Sequence, residues 1–337
     1  MSDMYKKIVI LIFSLIASLI LCELFLRIIR EPIQEIESVY DYTQLNINYG
    51  LEFKPNYNYE EFGYGGRTDS LGFYSPQISL EKKGKRIAYV GDSYIIAPGI
   101  ALEDNFPYKV SKKLSQEYKN LDYLAAAIGG LSPFSNKFIY QKKISQFKPD
   151  IVIYQSFDND IGDDYIFAYS EYFAKIKVWN SVPPFLKNSM VVQQLIVFAT
   201  GYFRSSYELF YEDTKEVIKD DPEKVWNEYS KPSLDELLRI VRESGAKFIL
   251  VYIPSGQVFP NEYIGKPLEK KYILAALLKE WAKENKVPFV DMYDDFLKRN
   301  TEEFNEIYLP EGKGFHLTRE VADLLSDKLY HVVRQNL

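Results

Sequence analysis

From residue 86 onward, short runs rich in β-branched and aromatic residues alternate with longer stretches of helical spacing, and few folds accept that rhythm. "RIAYVGDS" (86–93) leads to "NFPYKVSKKLSQEY" (105–118), "LDYLAAAIGG" (121–130) to "FSNKFIYQKKISQF" (134–147), and then comes "PDIVIYQSF" (149–157). After a lapse the pattern resumes with "SLDELLRIVRESGA" (233–246), opening on Ser233 as N-cap and closing at Gly245. "KFILVYIP" (247–254), "LEKKYILAALLKEWAKEN" (268–285), "VPFVDMYD" (287–294) and "REVADLLSDKLYHVV" (319–333) complete it. Strands that alternate with helices predict an α/β domain whose parallel sheet carries helices on both faces. Ligands of such sheets sit beyond the carboxyl ends of the strands. Ser93, Gly129 and Asn159 each fall just past a different predicted strand.

Three boundaries follow from changes of texture. Residues 1–30 form an N-terminal membrane anchor, 31–84 an irregular lead-in holding a short strand or two, and 85–337 the α/β domain, interrupted by an insertion at about 165–232. Within the insertion "SMVVQQLIVFATGYF" is apolar, but its glutamines and the preceding Pro183 and Pro184 favour a buried helix or a lid over a second span.

The anchor is nearly all apolar from Ile8 to Leu26, with Glu23 its one charge. A helix of that length reaches roughly 28 Å, close to the hydrocarbon thickness of about 30 Å. A cleaved signal peptide competes with an uncleaved anchor, yet no small-x-small cleavage site follows, and Leu21 before Cys22 does not fit a lipoprotein site. Lys6 and Lys7 balance Arg27 and Arg30, so flanking charge sets no orientation. A single N-terminal anchor most often leaves the following domain outside the cytoplasm, which is the expectation here.

Composition removes several function classes. A net charge of −6 without a basic stripe argues against nucleic-acid binding. One cysteine, Cys22, and two histidines, His316 and His331, exclude an intrachain disulfide, a thiolate cluster and a His-rich zinc site. Neither metal nor cofactor is expected. Asp158, Asp160, Asp163 and Asp164 have no Ca²⁺-loop spacing, the glycine following Asp158 too early, and read as a solvated acidic loop.

A serine hydroxyl needs a base within hydrogen-bond reach to act as a nucleophile. His331 falls in a helical pattern, whereas His316 lies in "LPEGKGFHLT", a glycine-rich loop before the last helix, from which a side chain can be held over a site. An oxyanion formed at an attacked carbonyl needs donors, and the Ser93 N–H, the Gly129 N–H and the Asn159 amide offer three. Asp92 reads as a turn-shaping residue.

These residues, in this order, resemble the four blocks of the SGNH hydrolases, the GDSL-like esterases and lipases. Gly91-Asp92-Ser93 corresponds to the nucleophile block, Gly129 in "AAAIGGLSPFS" to the second, Asn159 in "FDND" to the third and His316 in "GFHLT" to the last. "ELFLR", "DSLGFY" and "GIALEDNFP" extend the resemblance to membrane-anchored bacterial members, and the insertion is unmatched. The resemblance implies a three-layer α/β/α flavodoxin-like domain and a serine esterase acting on an acyl ester, an O-acetylated cell-surface glycan among the plausible substrates. Phe157 stands where many members have glycine. Gly314 and Lys313 occupy the places of the family's acid, so the nearest carboxylate is Glu311 and the choice between a triad and a Ser93–His316 dyad stays open. An acyltransferase acting on an envelope polysaccharide and a non-catalytic glycan-binding module are the alternatives. Nothing in the sequence fixes an oligomeric state.

Overall fold

The structure is a computed structural model that describes residues 3–29, 43–46, 50–61, 64–128, 131–169, 182–183, 186, 188–201, 221–254, 273–293, 295 and 316–337. Strands β1 (Thr43–Asn46) and β2 (Gly50–Phe53), then β3 (Asn58–Glu61) and β4 (Tyr64–Arg67), form two antiparallel hairpins after helix α1 (Asp3–Ile29). The remaining strands are β5 (Arg86–Gly91), β6 (Asp122–Ala127), β7 (Ile151–Ser156), β8 (Lys247–Tyr252) and β9 (Phe289–Asp291). They make one five-stranded sheet in the order β6-β5-β7-β8-β9, with every pair parallel. Relative to chain order this is 2-1-3-4-5, the flavodoxin-like doubly wound arrangement.

Helices cover both faces. α2 (Ser93–Ile96) follows β5 directly, and α3 (Phe106–Ser115) leads to β6. α4 (Pro133–Ile139) continues through further helical turns to Phe147, α5 (Asp160–Tyr169) follows β7, and α6 (Met190–Gly201) comes between α5 and β8. A helical run from Pro222 to Val225 passes through a wide turn, Trp226–Ser230, into α7 (Lys231–Glu243); α8 (Ile273–Glu284) and α9 (Arg319–Asn336) close the chain. α3 packs with α9 on one face of the sheet and α4 with α7 on the other. Between them β5 and β7 are buried along their whole length, which explains their unbroken apolar texture.

The expected cap at Ser233 is displaced. Ser233 is buried inside the first turn of α7, because Pro232 fits a first turn and the helical run begins upstream, where the Asp221 carboxylate accepts the Lys224 N–H at 3.0 Å. The run ends as read, at Gly245 with φ +85°.

The lead-in joins the same core. In "TDSLGFYS" (68–75) Asp69 Oδ1 accepts the N–H groups of Leu71 and Phe73, both at 2.8 Å. Gly72 has φ +76°, and a Cβ there would lie 2.3 Å from the Phe53 carbonyl. The turn buries Phe73 and Tyr74 beside Phe53, and the Tyr74 N–H donates to the Ala125 carbonyl of β6 at 2.9 Å. At the opposite end of the sheet from the strand tips, the fully buried Arg86 forks onto Asp122, both bonds 2.7 Å, and donates to the Phe147 carbonyl.

Candidate active site

β5 ends on Gly91 because its neighbour comes too close for any side chain: a Cβ would stand 2.5 Å from the Gln155 carbonyl of β7. The chain then turns into α2. Asp92 is the N-cap, its Oδ1 accepting the Tyr94 N–H at 3.2 Å, and its own N–H donates to Gln155 Oε1 at 3.1 Å. Asp92 thus has the turn-shaping contacts read from sequence. Gln155, which anchors that turn from β7 and is wholly buried, carried no signal in the sequence.

Ser93, the first residue of α2, is half-buried, and its Oγ stands 2.8 Å from His316 Nε2 and 2.7 Å from Asp92 Oδ1. Its single hydrogen serves one acceptor at a time. Turned to Asp92, the hydroxyl is held in place; turned to His316, it is positioned to lose its proton. The Asn159 amide reaches the same turn from beyond β7, with Nδ2 3.4 Å from Asp92 Oδ2. Ser93, His316 and Asn159 are therefore brought together. Gly129 and Glu311 lie outside the described residues. His331 is exposed on α9 and stacks only edge-on against Tyr330.

An aromatic column supports the imidazole. Phe157, at the place where many SGNH members have glycine, packs against Tyr94 with ring centroids 4.5 Å apart, and Tyr94 lies 5.2 Å from the His316 ring. Burial, reinforced by the charges of Asp92 and Asp158, holds the Tyr94 phenol well above its ordinary range, so it stays neutral. Tyr94 is a packing surface for the His316 ring rather than a proton carrier.

Of the acidic residues, Asp158 lies half-buried in the turn before α5 and accepts the Tyr252 hydroxyl, and the other three are not in a loop. Asp160, Asp163 and Asp164 lie in the first turns of α5, and Asp160 and Asp164 are buried. Their spacing of three and four residues sets them along one helix face, where an N-terminus favours carboxylates. Asp160 Oδ2 accepts from Ser156 Oγ at 2.6 Å, the Tyr154 hydroxyl at 3.1 Å and the Phe157 N–H at 3.3 Å. Asp164 Oδ1 accepts the Phe134 N–H of α4 at 2.7 Å. Burial drives all three carboxyls upward, Asp164 to about 7, with mutual repulsion adding to it for Asp160 and Asp163. Among the described residues no three carboxylate, histidine or cysteine side chains are grouped to hold a metal ion.

No protein-family model and no curated protein matches the chain. Solved structures similar to it include a GDSL-like lipase from Bacteroides thetaiotaomicron, 14% identical over 75% of this chain and 89% of that one, with a TM-score of 0.43. A lipase/acylhydrolase from Enterococcus faecalis is 16% identical over 75% of this chain and 97% of its own, TM-score 0.43. The psychrotrophic esterase EstA from Pseudoalteromonas sp. is 13% identical over 74% and 97%, TM-score 0.42. The sheet order agrees on its own with the fold that the resemblance implies.

Proposed function

We propose that the chain is a membrane-anchored serine ester hydrolase of SGNH type, with an anchor over 1–30, a lead-in over 31–84 and a catalytic domain over 85–337. The 2.8 Å contact between Ser93 Oγ and His316 Nε2, at the carboxyl end of β5, carries this reading. Ser93 Oγ attacks the ester carbonyl carbon while its proton passes to His316 Nε2, and the imidazolium then protonates the departing alcohol. Water, deprotonated by His316, releases the acid and restores the serine. The Ser93 N–H, which as the first residue of α2 has no acceptor within the helix, joins the Gly129 N–H and Asn159 Nδ2 in holding the oxyanion. Glu311 is the carboxylate available to orient His316.

α1 supports the anchor: Tyr5–Ile28 is long and apolar enough to cross a membrane, and no residue of its apolar window is buried among the described residues. The domain is assigned to the outside of the cytoplasm, where acylated cell-surface glycans, the O-acetylated ones first, are the substrate class to test. A C-terminal reporter active only in the cytoplasm should be silent; activity there overturns the orientation.

The test of mechanism is fluorophosphonate labelling of the full chain in detergent. Labelling should vanish in Ser93→Ala and fall by at least about 1,000-fold in rate in His316→Ala. Labelling that persists in Ser93→Ala, or folded protein that never labels, refutes the hydrolase reading.

A further inference from the structure

We infer that α6 is seated in the membrane, docked onto α1 through Glu23, so that the insertion binds the phospholipid bilayer beside the anchor. The inference rests on the anchor reading and begins from the one charge in the apolar stretch. A carboxylate within the apolar depth of a membrane is costly unless protein groups satisfy it. Glu23 has such partners: it accepts the N–H groups of Met190 at 2.9 Å and Val191 at 3.0 Å, and the Ser189 hydroxyl at 2.9 Å. Arg27, one turn along α1, donates to Glu23 at 2.8 Å and to the Asn188 carbonyl at 2.7 Å.

The arrangement settles both helices. The first N–H groups of a helix have no acceptor within it; here those of Met190 and Val191 go to Glu23 and that of Val192 to Ser189 Oγ. With its N-terminus capped by another helix, α6 can leave water. Glu23 lies five residues inside the end of the span at Ile28, about 7.5 Å along the helix axis, so α6 starts at the bilayer interface. Its sequence, "MVVQQLIVFATG", has no charge. Its 12 residues reach about 18 Å, too short to cross but suited to an interfacial or re-entrant element. Met190 and Gln193 are buried and Leu195 is 61% exposed, so Leu195 marks the open face of α6. The insertion departs from the site through α5, which starts directly after Asn159, so the chain that supplies the oxyanion donor runs on to the membrane seat.

The experiment uses the full chain with Cys22→Ser, reconstituted in vesicles of phosphatidylethanolamine and phosphatidylglycerol. Nitroxides are attached at Leu195→Cys, at Phe13→Cys in the anchor and at the exposed Glu81→Cys in the lead-in, and relaxation by oxygen is compared with relaxation by a water-soluble nickel chelate. Leu195 should match Phe13, relaxed more by oxygen, and Glu81 the reverse. Should Leu195 match Glu81 while Phe13 reads lipid, the inference fails and the anchor stands; should Phe13 read water as well, the anchor reading fails and takes the inference with it. Adding Glu23→Ala should move Leu195 toward water without moving Phe13, and an unchanged Leu195 overturns docking through Glu23.

Discussion

Asp164→Asn should make the folded domain less sensitive to pH. The wild-type carboxyl is raised from its ordinary 3.8 to about 7 by full burial, partly offset by the Ser132 and Ser230 hydroxyls and the Phe134 N–H. A carboxyl raised on folding holds a proton that the unfolded chain has released, so its contribution is complete below pH 3.8 and is lost as pH rises to about 7. At about 1.4 kcal/mol per pH unit, the loss across that window amounts to about 4 kcal/mol. Asparagine keeps the carbonyl oxygen that accepts the Phe134 N–H and carries no charge. It also relieves Asp160 and Asp163, both of which Asp164 pushes upward. Urea unfolding of the full chain in detergent across the same window reads the effect: between pH 3.8 and about 7 the wild type should lose about 4 kcal/mol relative to the variant. Parallel profiles would refute the claim that Asp164 is buried and protonated in the fold.

Other sites give sharper local tests. Gly91→Ala should cost about 1–3 kcal/mol and slow fluorophosphonate labelling, because its methyl meets the Gln155 carbonyl and displaces the turn that aims Ser93. Arg86→Met should destabilise by about 3 kcal/mol, at the low end for a broken buried pair because Asp122 keeps contact with water, and should leave the labelling rate unchanged. Phe157→Ala removes the ring behind Tyr94, and with His316 less firmly held the labelling rate should fall about 10-fold while the melting curve stays cooperative.

The sheet was readable because its strands are apolar on both faces and the helices between them amphipathic, so local pattern and tertiary burial point the same way. The contact between Ser93 and His316 was foreshadowed by the order of the four blocks rather than by local pattern, since a serine after a strand is also a common helix cap. The acidic run from Asp158 to Asp164 defeats local reading, since its polarity signals solvent while its three- and four-residue spacing signals a helix face, and only the neighbours Tyr154, Ser156 and Phe134 decide between them. Gln155 and Tyr94 escape notice because their roles depend on contacts across the sheet and between rings. The partnership of Glu23 with the first turn of α6 joins segments far apart in the chain, and nothing in either segment advertises the other.

The Tyr74 bond to Ala125 bears on how the outer edge of the sheet is kept from other extended chains. β6 is an edge strand, and an uncovered edge of a parallel sheet offers unpaired carbonyl and amide groups to any other extended chain. The turn at Asp69 closes off part of that edge from within the molecule and roofs it with Phe73 and Tyr74. A fragment trimmed to begin at β5 would lose this roof and expose Phe147, which Phe73 meets edge-on at 5.3 Å, together with the outer side of β6. Boundaries that keep this roof whole belong ahead of β1, because β2, which supplies Phe53, pairs with it.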